Sequence, residues 1–245
     1  MIKAVGVVVP AHDEEKLLPS CLASLHRAER VLRPEPAWPE EASREPVPVH
    51  LVVVADACRD RTAEIARQGG AAVVSIGARN VGEARAAGVR EVLRRTRHLD
   101  QADVWVATTD ADTLVPPGWL RRQVRHADDG WDTVAGTVYI ADWSGHPAQV
   151  RSLFLERYGE SKTWGDVGHP HVHGANLGFR ASAYLRAGGF PAEPTGEDRA
   201  LVALLTAAGA RILRTDGVTV ATSARRQCRA PHGFGDYLVG LASPG

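Results

Sequence analysis

The sequence lacks a net charge and any pairing pattern among its cysteines. Its 29 Lys and Arg residues match its 29 Asp and Glu residues, so the overall positive field that favours nucleic-acid binding is absent. The three cysteines, Cys21, Cys58 and Cys228, are odd in number, widely spaced and without a CxxC pair. This pattern disfavours a disulfide framework or a cysteine-based zinc site, and we expect reduced thiols.

The sequence also lacks an apolar run long enough to cross a membrane. The run near the N-terminus, in MIKAVGVVVPAHDEE, is too short, meets acidic residues at once and has no signal-peptide cleavage pattern. We therefore expect a cytoplasmic protein with no integral membrane segment and no nucleic-acid partner. At 245 residues and 44% hydrophobic content, the chain is long enough to bury a sizeable core.

What the sequence contains is an alternation of short β-branched runs and amphipathic segments. The runs AVGVVVP, LVVVAD, AAVVSIG and ADVWVATTD predict strands, each followed by a predicted helix. This alternation predicts an α/β fold with a mostly parallel sheet and helices on both faces. The first predicted helix, within DEEKLLPSCLASLHRAERVL, has acidic residues where its first turn is expected.

Two parts of the sequence depart from this alternation. Residues 33–48 are rich in proline and glutamate with few aliphatic side chains, which predicts an exposed loop. After Trp119, the run DTVAGTVYI and two short strands within RILRTDGVTVAT predict a mixed arrangement of strands near the C-terminus. Neither an internal repeat nor a linker divides the chain.

Polar residues follow the predicted strands and should share one edge of the sheet. In open α/β sheets, ligands bind at the carboxyl ends of the strands. The segments that follow the four strands are Pro10–Glu14, Asp56–Asp60, Gly77–Asn80 and Asp110–Asp112. We expect them to line one ligand-binding edge although they are far apart in sequence.

Asp110 and Asp112 place two negative charges at the tip of a buried strand, which requires a nearby positive partner. Mg²⁺ or Mn²⁺ is one candidate, since these ions take hard oxygen ligands and commonly bridge carboxylates to substrate phosphates. The alternative is a capping turn, in which Asp112 or Thr113 caps the helix that begins near Pro116.

Two further segments carry candidate chemistry. In TGEDRALVALL, Glu197 and Asp198 begin a predicted helix; one could serve as a general base, or the segment could be a helix-capping signal. In HPHVHGANLGF, His169, His171 and His173 alternate and would share one face of a strand. Such same-face residues are rather far apart for one zinc ion, so a polar pocket wall is favoured over a zinc site.

Together these motifs resemble a family 2 glycosyltransferase of the GT-A fold, of the soluble, non-processive kind. The resemblance covers nearly the whole chain. It depends on the ordered segments VVVPAHDEEKLLPSCLASL, LVVVADACRDRTAEIA, NVGEARAAG, TTDADTLVPPGWL, HGANLGFRASAYLRAGGF and GEDRALVALLTAAGARIL.

The resemblance implies a fold and an activity. The fold is a Rossmann-like, mostly parallel sheet with helices on both faces and a small mixed C-terminal sheet. A single domain, 1–245, would divide into a nucleotide-binding half (1–112) and an acceptor and sugar half (113–245). The activity would be hexosyltransferase-like. It would use a nucleotide-diphosphate sugar and Mg²⁺ or Mn²⁺, and it would invert the anomeric centre by single displacement onto an acceptor hydroxyl.

The resemblance also implies roles for individual residues. The nucleotide would be held by Pro10, Ala11, His12 and Glu14, with Asp56 at the base or ribose and Arg85 near the diphosphate. Asp112 would bind the metal directly, Asp110 would contact the metal or the ribose beside Ala111, and His232 is a candidate third ligand. Phosphate contacts would come from Arg225 and Arg226, and sugar contacts from His173, Gly174 and Asn176.

For the chemical step, the resemblance implies that Asp198 is the general base, with Glu197 beside it. The sequence departs from the family's pattern in two places. The expected pair of aspartates after the second strand reads Ala55-Asp56, and the Gln-x-x-Arg-Trp motif of processive members is missing, with TSARRQCR in its place.

Two other functions remain open at this stage. A nucleotidyltransferase acting on a sugar phosphate has a related layout, but it should carry a glycine-rich basic loop where this chain has PAHDEEK. A non-catalytic nucleotide-sugar-binding relative would be expected to lose Asp112 or Asp198, and both are present.

Overall fold

The structure, a computed structural model, describes residues 1–32, 46–160, 168–193, 195–225, 238 and 240. Most of the predicted 33–48 loop lies outside the described residues, as do Arg226, Cys228 and His232, so their predicted roles stay predictions.

The described residues form one seven-stranded sheet with seven α-helices around it. The strands are β1 (Ala4–Ala11), β2 (Val49–Asp56), β3 (Ala72–Ile76), β4 (Val104–Thr108), β5 (Thr133–Ile140), β6 (Leu177–Arg180) and β7 (Ile212–Thr222). The helices are α1 (Leu18–Leu32), α2 (Thr62–Gln68), α3 (Val81–Arg95), α4 (Trp119–Asp128), α5 (Ala148–Glu160), α6 (Ala181–Arg186) and α7 (Glu197–Ala207).

The sheet has the order β3-β2-β1-β4-β6-β5-β7. The first four strands are parallel, as the alternation predicted. β6 runs antiparallel to both β4 and β5, while β7 is parallel to β5. The C-terminal strands therefore combine parallel and antiparallel pairing, as predicted. They belong to the same sheet as the first four strands, because β6 pairs with β4 on one side and β5 on the other.

Two local predictions need correction. The two short strands predicted near the C-terminus are one strand, β7, because Gly136 pairs with Thr215 and Thr137 with Thr219, so that residues 216–218 bulge out of the ladder. The first helix begins at Leu18 without an acidic residue in its first turn. Pro19 fits in that first turn, where no backbone N–H is needed, and the acidic residues lie in the turn before it.

Hydrophobic residues cover both faces of the sheet. Along β1, Val7 and Val9 pack with α1 and α4 on one face, whereas Val8 packs with α3 and α7 on the other. This alternation follows from the two-residue period of a strand. Gly88 lets α3 approach the sheet closely, since a Cβ there would lie 2.3 Å from Cγ1 of Val8. The close packing fixes the N-terminal turns of α3 beside the carboxyl ends of the strands.

Candidate functional site

Arg85 joins two of the predicted site segments. Its Nη2 donates to Oδ1 of Asp110 at 2.6 Å, and its Nη1 donates to Oε1 of Glu197. Arg85 and Glu197 are each only 4% exposed, while the side chain of Asp110 is 35% exposed. The guanidinium therefore supplies the counter-charge for Asp110 and ties the end of β4 to the start of α7.

The position of Arg85 depends on how α3 begins. Asn80 caps this helix, with its side chain accepting from the N–H of Glu83 at 2.9 Å. The buried carboxylate of Asp56 accepts from the backbone N–H groups of Arg79 and Asn80, both at 2.8 Å. Asp56 thus closes the loop before α3 with both oxygens, and its predicted contact with the base or ribose stays a prediction.

A second arginine supplies the counter-charge for Asp112. Nη1 of Arg225 donates to Oε2 of Glu14 at 2.7 Å, and its Nη2 donates to the other oxygen of the same carboxylate. The same Nη2 lies 3.3 Å from Oδ2 of Asp112. Arg225, predicted to bind phosphate, is therefore held by carboxylates that come from the ends of β1 and β4.

The electrostatics of Asp112 reflect this crowding. Burial, then repulsion from Asp110, raises the pKa of the Asp112 carboxyl well above its usual value, while Arg225 acts in the opposite direction. Loss of hydration disfavours the charged form of a carboxyl group, and a nearby negative charge adds to that effect. A cation of higher charge at Asp112 would stabilise the ionised carboxylate more than the one guanidinium that Asp112 shares with Glu14.

The turn after β1 brings together its predicted nucleotide-binding residues. Pro10 and Ala11 belong to β1, and Ala11 is buried. His12 contacts the backbone oxygen of Asp56 through Nδ1 at 2.6 Å, and the backbone N–H of Glu14 donates to Oγ1 of Thr62 at 2.7 Å. The β1 turn is therefore fixed against the end of β2 and the start of α2.

Asp198 lies at the start of α7 and faces the segment before β6. Its Oδ2 accepts from the backbone N–H of Gly174 at 2.7 Å. The helix N-cap is Gly196, which has a left-handed backbone and no side-chain cap, so the capping alternative for this segment is not observed. Gly174 is confined from the other side too, since a Cβ there would lie 2.3 Å from Cζ of Arg85.

Asn176, predicted to contact the sugar, has a different role in the structure. The residue is 1% exposed. Its Nδ2 donates to the backbone oxygens of Thr137 and Val218, both at 2.8 Å, and its Oδ1 accepts from Nε1 of Trp119 at 2.9 Å. Because the amide is buried and its Nδ2 and Oδ1 already bond to protein, a contact between this side chain and a donor sugar is disfavoured. We reassign it to holding β5, β7 and α4 together.

The three alternating histidines form a stack of rings. The ring centroids of His169 and His171 are 5.7 Å apart, and those of His171 and His173 are 5.8 Å apart. Tyr158 of α5 stacks on His171 at 3.8 Å, and its hydroxyl lies 3.1 Å from Nε2 of His173. Burial lowers the pKa of His173 to about 4, so its ring is neutral at pH 7.

These histidines do not converge on a common point. Among the described residues, the group with three potential ligand atoms within 4.8 Å of one another is Asp13, Cys58 and Asp60, not the histidines. The arrangement agrees with a polar wall rather than a zinc site. Tyr158 could not be recognised from the sequence as a site residue, because one tyrosine on an amphipathic helix is more often a core residue.

Two carboxylates at the edge of the sheet could hold a divalent metal. Asp112 and Asp110 are hard oxygen ligands at the edge of the sheet, and Mg²⁺ or Mn²⁺ needs only one or two carboxylates when substrate phosphates supply further ligands. The predicted third ligand, His232, is outside the part of the chain that the structure describes.

A cleft of about 370 Å³ opens beside Asp112 and Arg225. Its other walls come from Leu114, from Asp142 in the loop between β5 and α5, and from Thr222 at the end of β7. The sequence did not predict this cleft, because its walls come from three separate segments that meet only in the folded chain. It offers space next to the carboxylates at the ligand edge.

Within the described ranges, no helix has both the length and the apolar character needed to cross a bilayer.

Solved structures with a similar fold are glycosyltransferases. TarS of S. aureus in complex with UDP-GlcNAc is 16% identical, with a TM-score of 0.62, over 94% of this chain and 61% of that one. Mannosyltransferase PcManGT from Pyrobaculum calidifontis in complex with GDP-Man and Mn²⁺ is 21% identical, with a TM-score of 0.60, over 93% and 59%. Glucosyl-3-phosphoglycerate synthase from Mycobacterium tuberculosis, with Mn²⁺, UDP and glucosyl-3-phosphoglycerate, is 18% identical, with a TM-score of 0.55, over 98% and 76%.

At these identities the likeness shows the GT-A fold. The chain spans about three fifths of the length of the TarS structure with UDP-GlcNAc. No protein of curated function matches the sequence at a significant level. The family model for glycosyl transferase family 2 matches residues 6–186, which is well over half of the 245 residues. The chain therefore belongs to glycosyl transferase family 2.

Proposed function

We propose that the protein transfers a sugar from a nucleotide-diphosphate donor to an acceptor hydroxyl. The observation that carries this proposal is the bridge that Arg85 makes between Asp110 and Glu197. It brings the acidic pair after β4 next to the start of α7, where Asp198 lies. The carboxylates proposed to hold the metal would thus lie near the carboxylate proposed to accept a proton.

The donor would lie along the edge of the sheet. Residues 1–112 would hold the nucleotide, with His12, Glu14 and Asp56 at its base and ribose, and residues 113–245 would face the sugar and acceptor. The TarS, PcManGT and synthase structures contain UDP-GlcNAc, GDP-Man or UDP, which supports a nucleoside diphosphate as the leaving group here.

A divalent metal fits the same edge. Asp112, with Asp110, would hold Mg²⁺ or Mn²⁺, and such an ion supplies stabilisation of negative charge on a departing diphosphate. Two of the structures with this fold contain Mn²⁺. Asp110 and Asp112 offer hard oxygen ligands, and an additional cation there would relieve the repulsion between their charges.

Asp198 is the proposed base. The backbone N–H of Gly174 fixes one of its oxygens, so the carboxylate is held towards the segment beside the proposed sugar position. It would take the proton of the acceptor hydroxyl while that oxygen attacks the anomeric carbon and the diphosphate leaves from the opposite face. A single displacement of this kind inverts the anomeric centre and requires no enzyme nucleophile.

Glu197 has a positioning role in this proposal. Its carboxylate is committed to the buried guanidinium of Arg85, which leaves Asp198 as the partly exposed carboxylate at the start of α7. The neutral ring of His173, held by Tyr158, would line the sugar side of the site without adding a charge.

A thermal-shift panel tests the proposed class. UDP, GDP, ADP and CDP are each added with and without Mn²⁺; binding to the folded state raises the melting temperature. We expect stabilisation by one nucleoside diphosphate, increased by Mn²⁺ and reduced in Asp112→Asn. Release of pyrophosphate from a nucleoside triphosphate and a sugar phosphate would instead indicate a nucleotidyltransferase. Binding without transfer or donor hydrolysis across a panel of nucleotide sugars would indicate a non-catalytic relative.

A further inference from the structure

Arg225 stands where the proposed site most needs positive charge. Its guanidinium forms two hydrogen bonds with Glu14 and also lies 3.3 Å from Oδ2 of Asp112. Glu14 is 5% exposed, and its carboxylate belongs to the turn proposed to hold the nucleotide. One side chain thus shares its single positive charge between a proposed nucleotide-binding residue and the proposed metal ligand.

This placement conflicts with a metal ion on the same carboxylate. A guanidinium and a divalent cation on one carboxylate repel each other, because both are positive and only a few ångströms apart. A diphosphate removes the conflict, since its oxygens bind a guanidinium in the same forked geometry that a carboxylate uses. Arg225 can therefore exchange its single contact with Asp112 for a contact with a diphosphate oxygen, and this exchange leaves Asp112 free.

The surroundings allow Arg225 to move. The residue follows the end of β7 by three positions, and it forms one wall of the cleft of about 370 Å³ that also borders Asp112. The end of β7 is itself fixed, because Ala221 pairs with Leu114 through two backbone hydrogen bonds. The guanidinium can thus leave Asp112 into open space without disturbing the strand.

We propose that Arg225 is a built-in counter-ion that competes with the divalent metal for Asp112 and transfers to the diphosphate of the donor. This inference rests on the proposed function. In the free protein, Arg225 shares its positive charge between Glu14 and Asp112 and weakens the binding of metal alone. When metal and diphosphate arrive together, the diphosphate draws Arg225 away. Each ligand then strengthens the binding of the other, as thermodynamic linkage requires.

The test measures Mn²⁺ binding directly, by electron paramagnetic resonance of free Mn²⁺, so that it does not depend on sugar transfer. Wild type, Arg225→Gln and Arg225→Lys are titrated with Mn²⁺ alone, and again with saturating UDP or GDP. The matched control is Arg94→Gln, which removes one positive charge from the exposed ion pair with Glu91 on α3. Circular dichroism melts show whether each variant is folded.

We expect Arg225→Gln to bind Mn²⁺ alone at least about 5-fold more tightly than wild type, the lower end of usual coupling between ligands. It should bind the nucleoside diphosphate more weakly, and the gain in Mn²⁺ affinity on adding diphosphate should shrink. Arg225→Lys keeps the positive charge but lacks the forked N–H donors of a guanidinium, so its Mn²⁺ affinity should lie between those of wild type and Arg225→Gln. It also tests the proposal if Arg225→Gln does not fold.

Three results would overturn the proposal, and they differ in meaning. Unchanged or weaker Mn²⁺ binding in folded Arg225→Gln, in a protein that binds Mn²⁺ with diphosphate, rejects the competition while leaving the transferase function intact. No binding of Mn²⁺ or diphosphate by either wild type or Arg225→Gln rejects the proposed function as well. Equal gains in Arg94→Gln would show a general charge effect and would also reject the specific role of Arg225.

Discussion

The guanidinium of Arg85 and the carboxylate of Glu197 form a buried ion pair that joins α3 to α7. The two residues are 112 positions apart in sequence. The pair therefore decides where Asp198, the next residue after Glu197, lies relative to the end of β4. Loss of this ion pair should therefore lower the stability of the fold and shift Asp198 relative to the end of β4.

Glu197→Ala should strongly destabilise the protein, because it leaves the guanidinium of Arg85 buried beside Asp110 as its one remaining ion-pair partner among the described residues. Breaking a buried pair by removing one partner costs about 3–5 kcal/mol. Glu197→Gln should cost less, since its amide oxygen still accepts a hydrogen bond. Urea denaturation measures the difference.

The control is Glu64→Ala in the exposed pair with Arg61, which should leave the midpoint of urea denaturation unchanged. An equal loss of stability in this control would contradict a special role for the buried pair.

Asp198→Asn should abolish transfer while leaving the fold and donor binding intact. The amide oxygen can still accept from the N–H of Gly174, but the side chain can no longer take a proton. Loss of a general base lowers turnover by about 10²–10⁴-fold. For wild type and Asp198→Asn, kcat measures transfer, and the melting temperature with and without the stabilising diphosphate measures folding and donor binding. Turnover near wild type in Asp198→Asn would remove this residue from the chemical step.

The ligand edge could be predicted from sequence because it follows from elementary rules. Strands buried on both faces read as continuous apolar runs, such as AVGVVVP, and parallel crossovers bring their carboxyl ends to one edge. That reasoning placed the turn after β1 near Asp56, and the contact between His12 and the backbone oxygen of Asp56 confirms it.

The partners of individual side chains were less predictable. Asn176 was assigned to the sugar, but its bonds go to Trp119, Thr137 and Val218, which come from three distant segments. No pattern in the sequence around Asn176 indicates that these distant segments come together in the fold. A metal was predicted as the positive partner of Asp112, and that stays a prediction; the structure adds Arg225, whose Nη2 lies 3.3 Å from Oδ2 of Asp112. A solvated arginine and one that turns inward look alike in sequence.

The reassignment of Asn176 predicts a stability effect without a binding effect. Asn176→Ala would leave Nε1 of Trp119 and the backbone oxygens of Thr137 and Val218 without their partner in the interior. Each buried group left unsatisfied costs about 1–3 kcal/mol. We expect a large fall in the free energy of unfolding by urea. Unchanged stability with weaker donor binding would restore this residue to the sugar site.

His173 should make stability depend on pH in the acid range. Burial lowers its pKa from 6.5 to about 4 in the folded state, so the unfolded chain takes up a proton first as the pH falls. The contribution of the neutral ring is complete above about pH 6.5 and is lost between there and about pH 4, by roughly 1–3 kcal/mol. His173→Gln cannot titrate, so its free energy of unfolding should change less across this interval. Urea denaturation at pH 7, 6, 5 and 4 compares the two proteins, with His98→Gln, at an exposed position after α3, as the matched control. Parallel curves for wild type and His173→Gln would show that the ring is not held neutral in the folded protein.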